Sequence, residues 1–375
     1  MPPPAVLTCN WAGSALQAES TLHQLSPYIG KLKSSIAGSL ISQFTEANDL
    51  IYDPFSGSGT VALEAWAAGR NVLANDLSPY AALLTRAKLF PYVSFEVAIE
   101  ELETFSHEAN RERERIDLRS IPAWVRQFFH RETLREALAW THVLRRHRRW
   151  FLLASLLGIL HHQRPGFLSF PSSHTVPYLR LKAFPPAKFP ELYEYRSLRD
   201  RLEAKVKRAF RRVPELDYAL KRQCFSQSAH LLAPKILADA IITSPPYMRQ
   251  LDYARDNRLR LWFLGIDDPR ALDKAISPRK EAFLKLMRQC FRKWKTVVKP
   301  QKYCVLVVGD GSSEVHGANL PEIISQIATN EVGGYDHIYN YTEAIPNERR
   351  VRRGLTGSTS ETIIVLRNND SGAQS

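Results

Sequence analysis

Short apolar runs bounded by turn residues recur in the two ends of the chain. Leu50-Ile51-Tyr52 and Asn71-Val72-Leu73-Ala74 read as buried strands near the start, followed far downstream by Ala238–Ile242, Tyr303–Val308, His337–Tyr341 and Thr362–Leu366. Helix-like stretches separate them, and strands alternating with helices predict a parallel sheet covered on both faces. Residues 91–222 have a different texture, mostly helical and charged. A break rich in proline and aromatics runs from Arg164 to Pro190. Proline cannot sit in a helix interior, so the break predicts a long ordered loop. Trp124, Phe128, Phe129 and Trp150 are expected to form a small core of this middle region. The division is therefore 1–90, an inserted 91–222, 223–367, and a polar frayed tail 368–375.

A chain of 375 residues has room for one large α/β domain and a second unit of roughly 100 residues or more. With 44% hydrophobic and 24% charged residues it does not read as mainly disordered. The longest apolar run, Trp150–Leu160, is shorter than the roughly 20 residues a membrane span needs, and no membrane partner is expected. Met1-Pro2-Pro3-Pro4 does not open a secretory signal. Cys9, Cys224, Cys290 and Cys304 lie far apart and form no CxxC pair, which fits buried thiols in a reducing cytoplasm. His161-His162 and the pair His142 and His147 lack a spaced set of partners, so no metal is expected.

Charge changes the picture. The chain carries 51 Lys and Arg against 38 acids, net +13. Residues 111–222 alone hold 25 basic and 11 acidic residues, net +14, which leaves the remainder at −1. A positive excess gathered in one block suits a phosphate backbone. Arg145, Arg146, Arg148, Arg149, Arg208, Arg211 and Arg212 are the candidate contacts to such a backbone. Arg145, Arg148 and Arg149 recur at i, i+3, i+4 and would share one face of a continuous helix.

Two clusters carry the candidate chemistry. Leu50-Ile51-Tyr52 runs into Asp53-Pro54-Phe55-Ser56-Gly57-Ser58-Gly59-Thr60, with a helical run after it. Glycines at a strand-to-helix turn let backbone approach a ligand, and helix-start N–H groups can hold its polar atoms. Asn75-Asp76 ends the next apolar run, where an acid is placed to accept the hydroxyls of a ribose. The second cluster, Thr243-Ser244-Pro245-Pro246-Tyr247, ends a buried strand. A hydroxyl, a fixed carbonyl and an aromatic ring in that order can grip an exocyclic amino group and stack on its base. Leu251-Asp252-Tyr253-Ala254-Arg255 would shape the pocket rim, with Asp252 a candidate second polar contact.

Asp53–Thr60 together with Thr243–Tyr247 resembles the amino-group DNA methyltransferases, which methylate N4 of cytosine or N6 of adenine, and the TSPPY form looks most like the N4-cytosine branch. Leu25-Ser26-Pro27-Tyr28-Ile29-Gly30-Lys31 is similar to the family's N-terminal motif over the methionine end of the cofactor, Asn75–Pro79 to its ribose motif, and Val298-Lys299-Pro300 to the stretch before its fifth strand. The resemblance covers about 1–90 and 225–367, and the third-strand motif near Phe225–Ser228 lacks the acid that often contacts the adenine ring.

This resemblance implies an α/β fold: a Rossmann-like class I methyltransferase sheet with helices on both faces and a mostly helical insert that recognises DNA. It implies S-adenosylmethionine as cofactor, contacted by Tyr28, Lys31, Asp53, Pro54, Phe55, Ser56, Gly57, Gly59, Thr60, Asp76 and Leu77. Ser244, Pro245, Pro246 and Tyr247 would be catalytic, Tyr247 stacking on a base flipped out of double-stranded DNA. No cysteine follows a proline as C5-cytosine chemistry would require. The implied setting is a cytoplasmic restriction-modification system of bacterial, archaeal or phage origin, with a partner endonuclease. N6-adenine methylation, methylation of an RNA base, and a non-catalytic nucleic-acid-binding module stay open as alternatives.

Overall fold

Alternation explains the sheet: each apolar run sends successive side chains to opposite faces, and both faces are covered. The computed structural model describes residues 19–164, 166–173, 176–246, 253–276, 279–309, 320–344 and 360–369. The strands are β1 (Leu50–Asp53), β2 (Asn71–Asn75), β3 (Arg222–Phe225), β4 (Ala238–Thr243), β5 (Val298–Gly309), β6 (Tyr335–Ala344) and β7 (Ser360–Asn368). They form one sheet in the order β3-β2-β1-β4-β5-β7-β6. Ile51, Val72, Ala240, Val305 and Ile363 belong to one buried cluster, and their neighbours Tyr52, Leu73, Ile241, Leu306 and Ile364 to the other.

Two strand expectations are corrected. β7 pairs antiparallel with both β5 and β6, so the sheet is mixed rather than parallel. An apolar run has the same period in either direction, which is why the pattern did not reveal it. Val298-Lys299-Pro300 does not precede β5 but opens it, because Val298 already pairs with Ala238. A register shift follows, and Gln301 takes a left-handed φ of 63°. With this order and one antiparallel insertion, the architecture is a Rossmann-like α/β sheet with helices on both faces.

Helices α1 (Ser34–Phe44), α2 (Thr60–Ala67) and α3 (Pro79–Leu89) belong to the first part of the chain. The middle supplies α4 (Phe95–Thr104), α5 (Ser106–Arg115), α6 (Ala123–Arg126), α7 (Arg131–Arg146), α8 (Trp150–Gly158) and α9 (Leu198–Ala209). The described part of 164–190 holds no α-helix. After β4 come α10 (Tyr253–Asp256), α11 (Arg258–Phe263), α12 (Arg270–Ile276) and α13 (Lys280–Trp294), and Leu320–Gln326 is a last helix.

α8 is apolar around its whole circumference because α3, α7 and α9 all pack on it. At its end, a Cβ on Gly158 would overlap the Leu25 carbonyl, so α8 seats directly under the N-terminal motif. The middle region therefore has no separate core: buried Phe128, Phe129 and Phe151 join the cluster on one face of the sheet, and Trp124 and Trp150 pack against it half-exposed. Among the described residues no helix is long and apolar enough to cross a membrane.

Candidate active site

Three strand ends meet at one place. Asp53 closes β1 and is 2% exposed, and the Thr243 hydroxyl at the end of β4 donates to its Oδ1 at 2.7 Å. The same hydroxyl oxygen accepts the Phe55 N–H at 3.2 Å. One threonine thus joins clusters 190 residues apart in sequence. Asn75, fully buried at the end of β2, donates to the carbonyls of Pro54 (3.2 Å) and Gln227 (2.9 Å), tying in the segment after β3.

Asp76 follows and accepts the Gly57 N–H at 2.8 Å through Oδ2 and the Ser78 N–H at 2.8 Å through Oδ1. The acid is thereby held against the glycine turn. The two glycines divide the work differently from expectation. Gly57 lines the cavity, whereas Gly59, at φ +76°, faces Thr85 of α3. Ser244, just past β4, donates its hydroxyl hydrogen to the Val307 carbonyl of β5 at 3.0 Å. Its oxygen lone pairs stay free to accept.

A cavity of about 280 Å³ runs across these ends. Of the expected residues, Tyr28, Lys31, Asp53, Pro54, Phe55, Ser56, Gly57, Thr60, Asp76, Leu77, Ser244 and Pro246 line it. Gly59 and the buried Pro245 are not part of the lining, and Tyr247 and Asp252 lie outside the described residues. Ser228 and Ala229 line it after β3, in the stretch that lacks an acid. Tyr253 of the expected rim stacks on Tyr28 with centroids 6.2 Å apart. Lys274 of α12 and Leu286 of α13 also reach the cavity, with no motif in the sequence to mark them.

The arginines of the middle region are placed otherwise than one helix face. α7 stops at Arg146, Arg148 is left-handed at φ 56°, and the Arg149 N–H returns to the Leu144 carbonyl at 2.8 Å. This tight cap turns the chain so that the apolar α8 can enter the core. Arg146 pairs with Glu108 at 2.6 Å, Arg149 pairs with Glu101, and the Arg145 guanidinium reaches the Phe263 carbonyl at 3.4 Å. Arg148, Arg208, Arg211 and Arg212 are exposed, and the Arg212 backbone is tied to Thr21.

Comparison with known proteins adds the following. The profile of the D12 class N6 adenine-specific DNA methyltransferases matches residues 28–157. The Type II methyltransferase M.MjaII of Methanocaldococcus jannaschii is 32% identical over 71 residues, which is 19% of this chain and 13% of that protein. The Type II methyltransferase M.BsoBI of Geobacillus stearothermophilus is 25% identical over 284 residues, 67% of this chain and 54% of that one. The chain thus spans about half or less of the curated relatives it matches. Among solved structures, TrmN from Thermus thermophilus aligns over 93% of this chain and 53% of its own, at 11% identity and TM-score 0.38.

The lining fits S-adenosylmethionine. Ser58 Oγ and Thr60 Oγ1 are buried, line the cavity and have no partner, so a polar ligand end at the start of α2 would satisfy them. Burial pushes the Asp53 carboxyl up to about 7 and that of Asp76 to about 6, the backbone N–H donors opposing the shift at Asp76. A ligand carrying ammonium and sulfonium charge favours the ionised carboxylates, so binding releases protons below those values. Affinity is expected to be flat above pH 7 and to fall as the pH drops below it, by up to about tenfold per unit for each carboxyl. Calorimetry from pH 8 to 5.5 reads this directly, and Asp53→Asn should flatten the upper part of the profile.

Proposed function

We propose, from the resemblance to the amino-group DNA methyltransferases that the profile match and the two relatives bear out, that this chain methylates the exocyclic N4 of a flipped cytosine in double-stranded DNA. The observation that supports it most is a single cavity lined by Asp53 and Asp76 at the first turn and by Ser244 and Pro246 at the second. Bound S-adenosylmethionine supplies an activated methyl group on a sulfonium sulfur. Asp76 and the start of α2 hold and orient the cofactor, which fixes the line of an in-line displacement. Ser244 is tied to Val307, so its oxygen accepts from the amino N–H and favours a pyramidal, more nucleophilic nitrogen. In this reading the Pro245 carbonyl is the second acceptor and Tyr247 stacks on the base.

N6 of adenine is the second reading, favoured by the D12 match over residues 28–157. That match ends before Ser244, so it covers the cofactor half and not the turn that meets the base. Under either reading the exposed arginines at 148, 208 and 211 are the stronger phosphate contacts, because acids already offset Arg146 and Arg149. A cognate endonuclease in the same system is part of the proposal.

Nucleoside analysis of DNA from cells expressing the chain is the test. N4-methylcytosine supports the first reading, and N6-methyladenine replaces it with the second. Modified RNA with unmodified DNA, or no methylation at all from a cofactor-binding protein, overturns both. Asp76→Ala is expected to weaken cofactor binding by about 1–3 kcal/mol in a protein that still folds, as for hydrogen bonds to a charged group. Unchanged affinity in calorimetry would remove Asp76 from the site.

A further inference from the structure

The remainder outside 111–222 is near neutral only on average. Residues 279–302 hold nine basic residues against the single acid Glu281. Some of that charge is already matched: Arg288 bonds Glu331 at 2.5 Å and Lys299 bonds Asp239 at 2.6 Å. Lys280 and Lys285 of α13, and Lys274 of α12, take part in no ion pair among the described residues. α13 buries Phe283, Met287, Cys290, Phe291 and Trp294 on the far face of the sheet from the middle region. Its opposite side carries exposed Lys285 and Arg292, seven residues apart and so nearly in line along the helix.

The position of these lysines gives them a partner. Lys274 lines the cavity together with Ser244 and Pro246, and Ala282 and Leu286 of α13 line it too. Lys280 precedes Ala282 by two residues and Lys285 adjoins Leu286, so both lysines stand on the helix that borders the place where a base would meet the active turn. Asp273 and Glu281 are their neighbours in sequence, and Asp53 and Asp76 line the same cavity as Lys274.

We propose that Lys274, Lys280 and Lys285 hold the backbone phosphates on either side of the extruded nucleotide. The inference rests on the DNA reading above and deepens it. A nucleotide turned out of the stack brings its two flanking phosphates to the cavity mouth, and short-range cations there offset part of the cost of unstacking. The duplex is then gripped from both faces of the sheet, by the arginines of the middle region on one and by Lys280 and Lys285 of α13 on the other.

The test uses the full chain and a labelled DNA duplex, with affinity measured across a salt series. Changing the three lysines together to glutamine is expected to lower the slope of log affinity against log salt by about two units, close to 0.9 for each of the two phosphates no longer neutralised. The Lys→Arg triple variant is expected to keep the wild-type slope, and cofactor affinity should stay at the wild-type value when Lys280 and Lys285, which are not part of the cavity lining, are changed to glutamine without Lys274. A 2-aminopurine at the target position should brighten less with the glutamine variant, reporting a smaller extruded population. A wild-type slope in the folded glutamine variant overturns this inference alone. If the wild-type chain does not bind duplex DNA, or its lysine-dependent binding is to RNA, the DNA reading falls and this inference with it.

Discussion

Gly59→Ala is expected to cost about 2–4 kcal/mol of stability, the sum of a left-handed backbone and an overpacked contact. At φ +76° an alanine Cβ would lie 2.8 Å from the Thr85 Cα and 2.9 Å from its Oγ1. Backbone cannot swing aside as a side chain does. Thr85 also bonds the Ser56 hydroxyl at 3.0 Å and the Gly57 carbonyl at 3.2 Å, so relief by moving α3 would pull the cofactor turn apart. Gly69 provides the control, with φ +79° and nothing within 4 Å of a built Cβ. Gly69→Ala should therefore show only the backbone component, about 1–2 kcal/mol. Urea unfolding of both variants separates the two contributions, and equal losses would mean that Thr85 gives way. Calorimetry should also find weaker cofactor binding in the Gly59 variant, though Gly59 is not part of the cavity lining.

Ser244→Ala is expected to lower turnover about 10- to 100-fold, the range for one hydrogen bond to a group that gains charge in the transition state. Cofactor affinity should hardly change, since the partner of the Ser244 oxygen is the base. The serine hydrogen is committed to the Val307 carbonyl, so its loss also frees one acceptor at the end of β5 and should cost about 1 kcal/mol of stability. Single-turnover kinetics with saturating cofactor isolate the chemical step from binding. Full activity in Ser244→Ala would transfer the acceptor role to the Pro245 carbonyl.

Much of the site was legible because its signals are local. A glycine turn after an apolar run and an acid ending the next run each span a few residues, as does the Ser-Pro-Pro turn, and twelve of the residues expected from them and from the N-terminal motif line the cavity. Lys274, Ala282 and Leu286 carry no such signal of their own; they reach the cavity because α12 and α13 are folded against it. Gly59 shows the converse, a motif residue whose conformation serves packing on α3 rather than contact with a ligand.

By itself the sequence determined the identity of most strands, the helical texture of the middle region and the chemistry of the two turns, because side-chain period and turn preference act over a few residues. Only the tertiary structure decided the rest. The antiparallel place of β7 depends on which neighbours it pairs with, and an apolar run is the same read in either direction. The break after Arg146 arises because the following apolar segment is drawn into a core shared with α3 and α9. Pairing of Arg149 with Glu101, and of Thr243 with Asp53, joins residues far apart in the chain. Such contacts form once the chain has collapsed, and the free energy that selects them comes from burial of groups no local pattern can see together.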